Sequence, residues 1–282
     1  VMDMFVSPML LQYAAENKPF DKEHHVAELK LDGIRLIVST MDGLRLYTRH
    51  ENDVTNKFPE LHNSPVPSGT ILDGELIVTD SAGKPDFEAM MSRFQSRSNR
   101  EQATFCAFDI IRHKGIDVTG LPLSRRKELL AEAFTETERY TKVMPANGSA
   151  VQYFGAVSTV GLEGVVIKDL RSRYAVGTRS WAWQKVINWT HAEVFITGVR
   201  RGQLGWLTSI QEGEGRLRPA GIIEFGINEE HKRALRSVQS QIVYKEDRFA
   251  AHFKPLIRAR VKTRNWTRNG MLRSPVFEDF IL

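Results

Sequence analysis

Cysteine is almost absent from this chain of 282 residues: Cys106 stands alone. No intrachain disulfide can form, and no cysteine-rich zinc module can be built. Phe105, Ala107 and Phe108 surround Cys106, so a buried, inert thiol is expected. Such sparing cysteine use fits a reducing, intracellular setting. No run of about 18 apolar residues occurs, so no membrane-spanning helix is expected. A basic segment leading into an apolar core is missing near the N-terminus, so no secretory signal is expected. Internal repeats and low-complexity tracts are missing too. With 41% hydrophobic and 26% charged residues, disorder across the whole chain is excluded. At roughly 150 residues per domain the length predicts two domains, each able to bury a core.

Acidic residues are missing from one long stretch. None lies between Arg248 and Arg273. From residue 190 onward there are 16 Lys and Arg against 10 Asp and Glu, whereas the residues before it carry 23 against 24. The net charge of +5 is therefore a property of the last third, and it favours an anionic partner there.

The pattern along the chain predicts an α+β protein. Residues 26–40 read as strand, turn at Asp32-Gly33, and strand again. Met41-Asp42-Gly43 signals a hairpin. Further strands are expected over 70–78, 105–111 and 164–168. Helices are expected over 87–94 and from Ser124 onward. Beyond Trp189 strands are expected at 192–200, 204–211, 221–225 and 254–263, with one helix at 229–239. Short strands plus one helix fit a small barrel of the OB type. The domains are accordingly expected at 1–189 and 190–282.

Six constellations can carry chemistry. Lys30-Leu31-Asp32-Gly33-Ile34-Arg35 puts an amine beside a tight turn. It suits either a hairpin with a surface Lys–Asp pair or a lysine nucleophile, which must be held away from its ordinary protonation. Leu72-Asp73-Gly74-Glu75 and Glu163-Gly164-Val165-Val166-Ile167-Lys168 set acids against apolar strands. They are either solvated strand edges or carboxylates able to hold Mg²⁺ with substrate phosphates. Phe108-Asp109 offers a core aromatic or a platform for a purine ring. Lys185 in Trp183-Gln184-Lys185 is a snorkelling lysine or a phosphate contact. Finally, Arg258, Arg260, Lys262 and Arg264 alternate with Ala259, Val261, Thr263 and Asn265. A period of two places all four cations on one face. A stripe of that density suits a phosphate backbone better than the protection of an edge strand.

The order of these motifs resembles the covalent nucleotidyltransferases, and in detail an ATP-dependent DNA ligase core of the minimal two-domain kind found in bacterial end-joining and stand-alone bacterial or phage ligases. Nearly the whole chain takes part, including Ser7-Pro8-Met9-Leu10, the 49–61 run, the 120–127 run and residues 265–277. The resemblance implies an adenylation domain of antiparallel sheets and helices followed by an OB-fold barrel. It implies that Lys30 attacks ATP to form a lysyl–AMP adduct. AMP then passes to the 5′-phosphate of nicked duplex DNA, and the 3′-hydroxyl displaces it. Glu28 would contact the adenine amino group, Phe108 and Val166 would sandwich the base, and Glu75 would bind the ribose. Arg35 and Arg49 would hold the ribose and the nick 5′-phosphate, and Lys185 the AMP phosphate. Glu75 and Glu163 would serve Mg²⁺ or Mn²⁺. Arg49, Arg258, Arg260, Lys262, Arg264, Arg268 and Arg273 would meet DNA. A monomer acting in the cytoplasm, with no membrane partner, is the matching expectation.

Two departures stand out. Ile187 occupies the place of a second lysine after Lys185, and no Arg-x-Asp-Lys motif occurs near the C-terminus. Which of Arg258, Arg260, Lys262, Arg268 and Arg273 orients pyrophosphate stays open. The rival readings are an RNA ligase or capping-type guanylyltransferase, which share the lysine motif, and a non-catalytic nucleic-acid-binding module.

Overall fold

The computed structural model describes residues 3–282. They form two compact units, the second being Asn188–Leu282 and the first the residues up to Ile187. The sequence reading put the change two residues later.

The first unit runs β1 (Leu10–Tyr13), β2 (His25–Leu29), β3 (Ile34–Ser39), β4 (Arg45–Thr48), β5 (Ile71–Ile77), α1 (Phe87–Gln95), β6 (Thr104–His113), β7 (Ile116–Asp117), α2 (Leu123–Ala133), β8 (Tyr140–Lys142), α3 (Ala150–Thr159), β9 (Gly164–Asp169) and β10 (Arg179–Ile187). Two sheets result. One has the order β1-β10-β9-β2, and the other β4-β3-β5-β6-β7 with β8 also on β6. The hairpin over Met41-Asp42-Gly43 pairs β3 with β4. The Asp32-Gly33 turn makes no hairpin. It carries the chain from β2 in the first sheet to β3 in the second. Gly33 is required there, because a Cβ on it would stand 2.1 Å from the Leu76 carbonyl oxygen.

Strand alternation sorts side chains between faces. In the first sheet Ala27, Val165, Ile167 and Val186 point to an apolar cluster with residues of α3. Glu28, Val166, Lys168, Trp183 and Lys185 occupy the opposite face, as the β2–β9 and β9–β10 registers require. In the second sheet Leu36, Val38, Leu72 and Leu76 face the main core, while Ile37 and Ile71 join Val166 and Trp183 in a cluster between the sheets. Helix α1 starts at Asp86, whose side chain accepts the Ala89 N–H. Helix α2 starts at Leu123 after Pro122. Helix α3, capped by Ser149, escaped the sequence reading because Gly155 and its β-branched residues obscure the 3.6-residue period.

Cys106 is buried, accepts a hydrogen bond from the Thr141 hydroxyl at 3.2 Å, and burial pushes its thiol up to about 11. That is the inert thiol the sequence implied. Buried ion pairs join the elements. Arg126 of α2 donates through Nε and Nη2 to Asp109 of β6 at 2.9 and 3.0 Å, and both residues are fully buried.

The second unit runs β11 (Thr190–Arg200), β12 (Trp206–Glu212), β13 (Arg216–Ile223), α4 (Glu229–Ile242), β14 (Val243–Glu246), β15 (Ala250–Thr263) and β16 (Val276–Ile281). It is an antiparallel sheet of order β13-β12-β11-β15-β14 with β16 on β15, a curled OB-type barrel with one helix. Strand β13 begins at Arg216, not Gly221, because Arg216 and Arg218 disguise its alternation. Strand β16 was read only as part of a motif. Helix α4 opens with a capping box between Asn228 and His231.

No described helix is long and apolar enough to cross a membrane. Removing one member of a buried pair strands the other charge, at a cost of about 3–5 kcal/mol. Arg126→Met should lower unfolding stability by about that amount in urea titrations. A loss below about 1 kcal/mol would show that Asp109 finds another partner.

Candidate active site

Lys30 follows β2 directly, and its backbone N–H donates to the Gly164 carbonyl at 2.9 Å. Its ammonium donates to Glu163 Oε1 at 2.9 Å, a residue 133 positions away. Glu163 precedes β9, and Gly164 fixes its approach. Gly164 has φ 151°, and a Cβ there would stand 2.1 Å from the Val186 carbonyl oxygen.

A pocket opens beside this pair. Leu11, Glu28, Lys30, Arg35, Glu75, Phe108, Val166, Lys168 and Trp183 line it, with Leu29 and Leu31. Its walls come from both sheets of the first unit. Arg35 and Glu75 are direct neighbours across β3 and β5. Phe108 stands at 5.9 Å and 86° to Trp183.

The charges in this pocket are strongly organised. Arg35 donates Nε and Nη2 to the two oxygens of buried Asp73, each at 2.6 Å, and Nη2 also to the Met9 carbonyl at 2.7 Å. Tyr174 donates its hydroxyl to Asp73 Oδ2 at 2.6 Å. Burial alone would weaken the Arg35 guanidinium, but Asp73 holds it firmly charged. Glu28 lies between two ammonium ions, Lys127 at 2.6 Å and Lys168 at 2.7 Å. Burial favours the neutral acid there, yet Lys168 and Lys127 outweigh it and keep the Glu28 carboxyl below the usual range. Lys127 also donates to the carbonyls of Phe108 and Val143 at 2.9 and 2.8 Å. Glu75 behaves in the opposite way. Burial in the pocket pushes its carboxyl up to about 8, against the pull of Lys30 and Arg35 and with help from the Glu163 charge.

The ATP dependent DNA ligase domain, as a family model, matches residues 8–186. The chain belongs to the ATP-dependent DNA ligase family. The SPbeta prophage-derived DNA ligase-like protein LigB of Bacillus subtilis is 40% identical over 280 residues, covering 98% of this chain and 99% of that one. The multifunctional non-homologous end joining protein LigD of Mycobacterium bovis is 31% identical over 268 residues, covering 87% of this chain. The match takes in 34% of that longer protein. Among solved structures, mycobacterial DNA ligase D complexed with ATP and MES superposes with a TM-score of 0.61 at 28% identity, over 98% of this chain and 95% of that one.

In this ligase the structure gathers Lys30, Glu28, Arg35, Glu75, Phe108 and Val166 in one pocket, with Glu163 on Lys30. Lys185 lies next to it on β10, opposite Val166 in register, with its ammonium 4.1 Å from the centre of the Tyr13 ring. Arg49 does not line the pocket. It is exposed on the turn after β4, where it donates to His50 Nε2 at 3.2 Å. In the second unit Arg258 and Arg260 are exposed while Ala259, Val261 and Thr263 are buried. Strand β15 pairs with β11 on one side and β16 on the other along this stretch, so it is no edge strand and its charge serves no edge protection. Lys262 and Arg264 lie over the Trp189 ring at 4.8 and 5.3 Å. The Arg264 N–H donates to the Arg273 carbonyl and the Arg273 N–H to the Asn265 carbonyl, each at 3.0 Å, across the 264–273 turn, which carries exposed Arg268.

Sequence reasoning missed Lys168, Trp183, Lys127 and Tyr174 as parts of this site. Trp183 and Lys168 stood inside quoted motifs, and their parity with Lys185 and Val166 was the available signal. Lys127 ended the 120–127 run, but nothing there pointed to Glu28, 99 positions away, and Tyr174 stood in no motif.

An acid with a folded pKa above its ordinary 4.5 keeps its extra proton only in the folded state. Its contribution to stability is complete below about 4.5 and is lost as pH rises through about 8. Nucleotide-free, chelator-treated protein should therefore lose stability over this window relative to Glu75→Gln. Urea titrations at pH 5, 7 and 9 measure it, and a pH-independent difference would contradict a protonated Glu75.

Proposed function

We propose that this ligase seals nicked duplex DNA through a lysyl–AMP adduct on Lys30. One observation carries the assignment: Lys30 Nζ rests on Glu163 Oε1 at the pocket that Glu75, Phe108 and Val166 also line. Phe108 and Val166 supply apolar surfaces for a flat base, and Glu75, protonated near neutral pH, supplies a hydrogen-bond donor or acceptor for a ribose hydroxyl.

The first step forms the Nζ–P bond to the α-phosphorus and breaks the bond to the pyrophosphate oxygen. Lys30 must shed a proton to attack, and Glu163 Oε1 is the acceptor within reach at 2.9 Å. Charge builds on phosphate oxygens, so stabilisation rests on prearranged cations. Lys185, steadied on the Tyr13 ring, serves the α-phosphate, and Arg35 serves the ribose side. Glu28 is tied to two lysines, so its role toward the adenine amino group would be carried by a carboxylate already fixed in orientation. AMP then passes to the 5′-phosphate of the nick, held by Arg49, and the 3′-hydroxyl displaces it. Arg258, Arg260, Lys262, Arg264, Arg268 and Arg273 contact the DNA backbone, which positions the duplex without reading its sequence.

The donor set suits Mg²⁺ or Mn²⁺ brought with ATP. Among the described residues no cluster of three or more His, Cys, Asp or Glu forms a cage. The Glu163 charge helps push the Glu75 carboxyl up; a divalent cation would offset that push and take its remaining ligands from phosphates and water. Bound there, it would neutralise phosphate charge. A monomer acting inside the cell accords with this reading.

Pyrophosphate-stripped protein incubated with Mg²⁺ and α-labelled ATP should retain label on the denatured chain. Lys30→Ala should reduce it to background. Lys185→Ala should slow labelling by about 10²–10³-fold, as removal of one transition-state donor does. Label from GTP in place of ATP would overturn the reading in favour of a capping-type enzyme.

A further inference from the structure

A second feature of the first unit shares no residue with the nucleotide pocket. It is a surface cavity of about 620 Å³ between the 56–59 segment and the 93–100 segment at the end of α1. Lys57, Arg97 and Arg100 line it with Asn56, Asn99 and Phe94, and no carboxylate does. All three cations are exposed, and among the described residues none of them forms an ion pair with an acid. Lys57 rests on the Phe94 ring at 4.4 Å.

The cavity is built, not merely charged. Arg93, itself buried, donates to the Lys57 carbonyl at 2.6 Å, to the Glu101 carbonyl at 2.9 Å and to Glu60 at 2.9 Å. Its guanidinium also covers Phe58 at 4.8 Å. One arginine with its charge already matched thus clamps both walls and the far end of the loop. The unmatched cations around it are left for a solvent-borne anion. Side-chain amides and cations without any acid suit phosphodiester oxygens, which accept from both.

We propose that this cavity is a DNA-backbone site that grips the duplex away from the nick; the assignment rests on the ligase reading above. Arg49, assigned to the nick 5′-phosphate, and Lys57 lie eight residues apart on the β4–β5 connection. Eight residues span at most about 29 Å. At 3.4 Å per base-pair step, the cavity therefore engages phosphates within roughly eight steps of the nick. Three more backbone contacts in the first unit would add to those from the basic strand of the second.

The test is nicked-duplex binding as a function of salt, with Lys57→Gln/Arg97→Gln/Arg100→Gln beside the wild type. Each phosphate contact contributes a slope of about −0.9 in log K against log salt. The wild type should lose roughly 40-fold more affinity than the triple variant between 50 and 200 mM salt. Labelling by ATP without DNA should match the wild type. Shortening each flank in turn, stepwise from about ten base pairs towards the nick, should erase the difference between the two proteins on one flank only. The Arg97→Gln/Arg100→Gln variant, which leaves Lys57 on Phe94, should lower the slope by about two. An unchanged slope, a difference that survives trimming of either flank, or loss of ATP labelling in both variants would overturn the assignment. If the wild type itself neither binds nor seals nicked DNA, the ligase reading fails first; if it seals while the slopes coincide, only the cavity assignment falls.

Discussion

The carboxylate of Glu28, shared between Lys127 and Lys168, is the interaction on which the first unit turns. Glu28 and Lys168 belong to the β1-β10-β9-β2 sheet, whereas Lys127 comes from α2, which is bonded to β6 of the other sheet through the Phe108 carbonyl. Two further links cross the same gap. Arg35 reaches the Met9 carbonyl while gripping Asp73, and Tyr174 donates to that same Asp73. Apolar contact joins the sheets through Ile37, Ile71, Val166 and Trp183, and the ion contacts add links where charged side chains also line the pocket. Buried ions are costly unless every donor and acceptor is met. Here the Lys127 ammonium donates to two backbone carbonyls and lies 2.6 Å from Glu28 as an ion pair. Satisfaction of that kind makes the geometry unique, since any slip of one sheet leaves a charge stranded.

The same ions set the aromatic platform. Lys168 stands 4.4 Å from the centre of the Phe108 ring and 4.1 Å from that of Trp183, and Arg35 stands 4.9 Å from Phe108. Cations over ring faces fix the rings electrostatically. The aromatic pair proposed to receive a base and the ion network that closes the sheets are therefore one structure. A change in Lys168 would disturb base stacking and fold together, and separate measurements of nucleotide affinity and unfolding would report the same event.

Much of this was legible in the residues. Lys30, Glu75, Phe108 and Glu163 stood out because a charged or aromatic residue borders or interrupts an apolar strand at each place, and Val166 was named only through the family resemblance. Sheet membership was not legible. Nothing local distinguishes a turn that folds β3 back on β2 from one that carries it to a different sheet, and the Asp32-Gly33 turn does the latter. Helix partners were equally hidden. Lys127 reads as one more polar residue of an amphipathic helix, and only the folded chain shows that it faces inward. The charged stripe on β15 was legible from its period, but its place inside the sheet became clear only once β16 was found beyond it.

Ile187 shows how a local departure is absorbed. Trp183, Lys185 and Ile187 share one face of β10, and Ile187 pairs with Gly164, next in the chain to Glu163. It is buried, and its backbone N–H and carbonyl are both bonded to the Asn17 side chain, each at 2.8 Å. A lysine here would have to bury its stem against Gly164 and bring a second ammonium toward Glu163, in competition with Lys30. With isoleucine in place, Glu163 bonds Lys30 at 2.9 Å and the strand end is sealed by Asn17. On β10 the proposed phosphate contact then rests on Lys185, whose ammonium lies 4.1 Å from the centre of the Tyr13 ring.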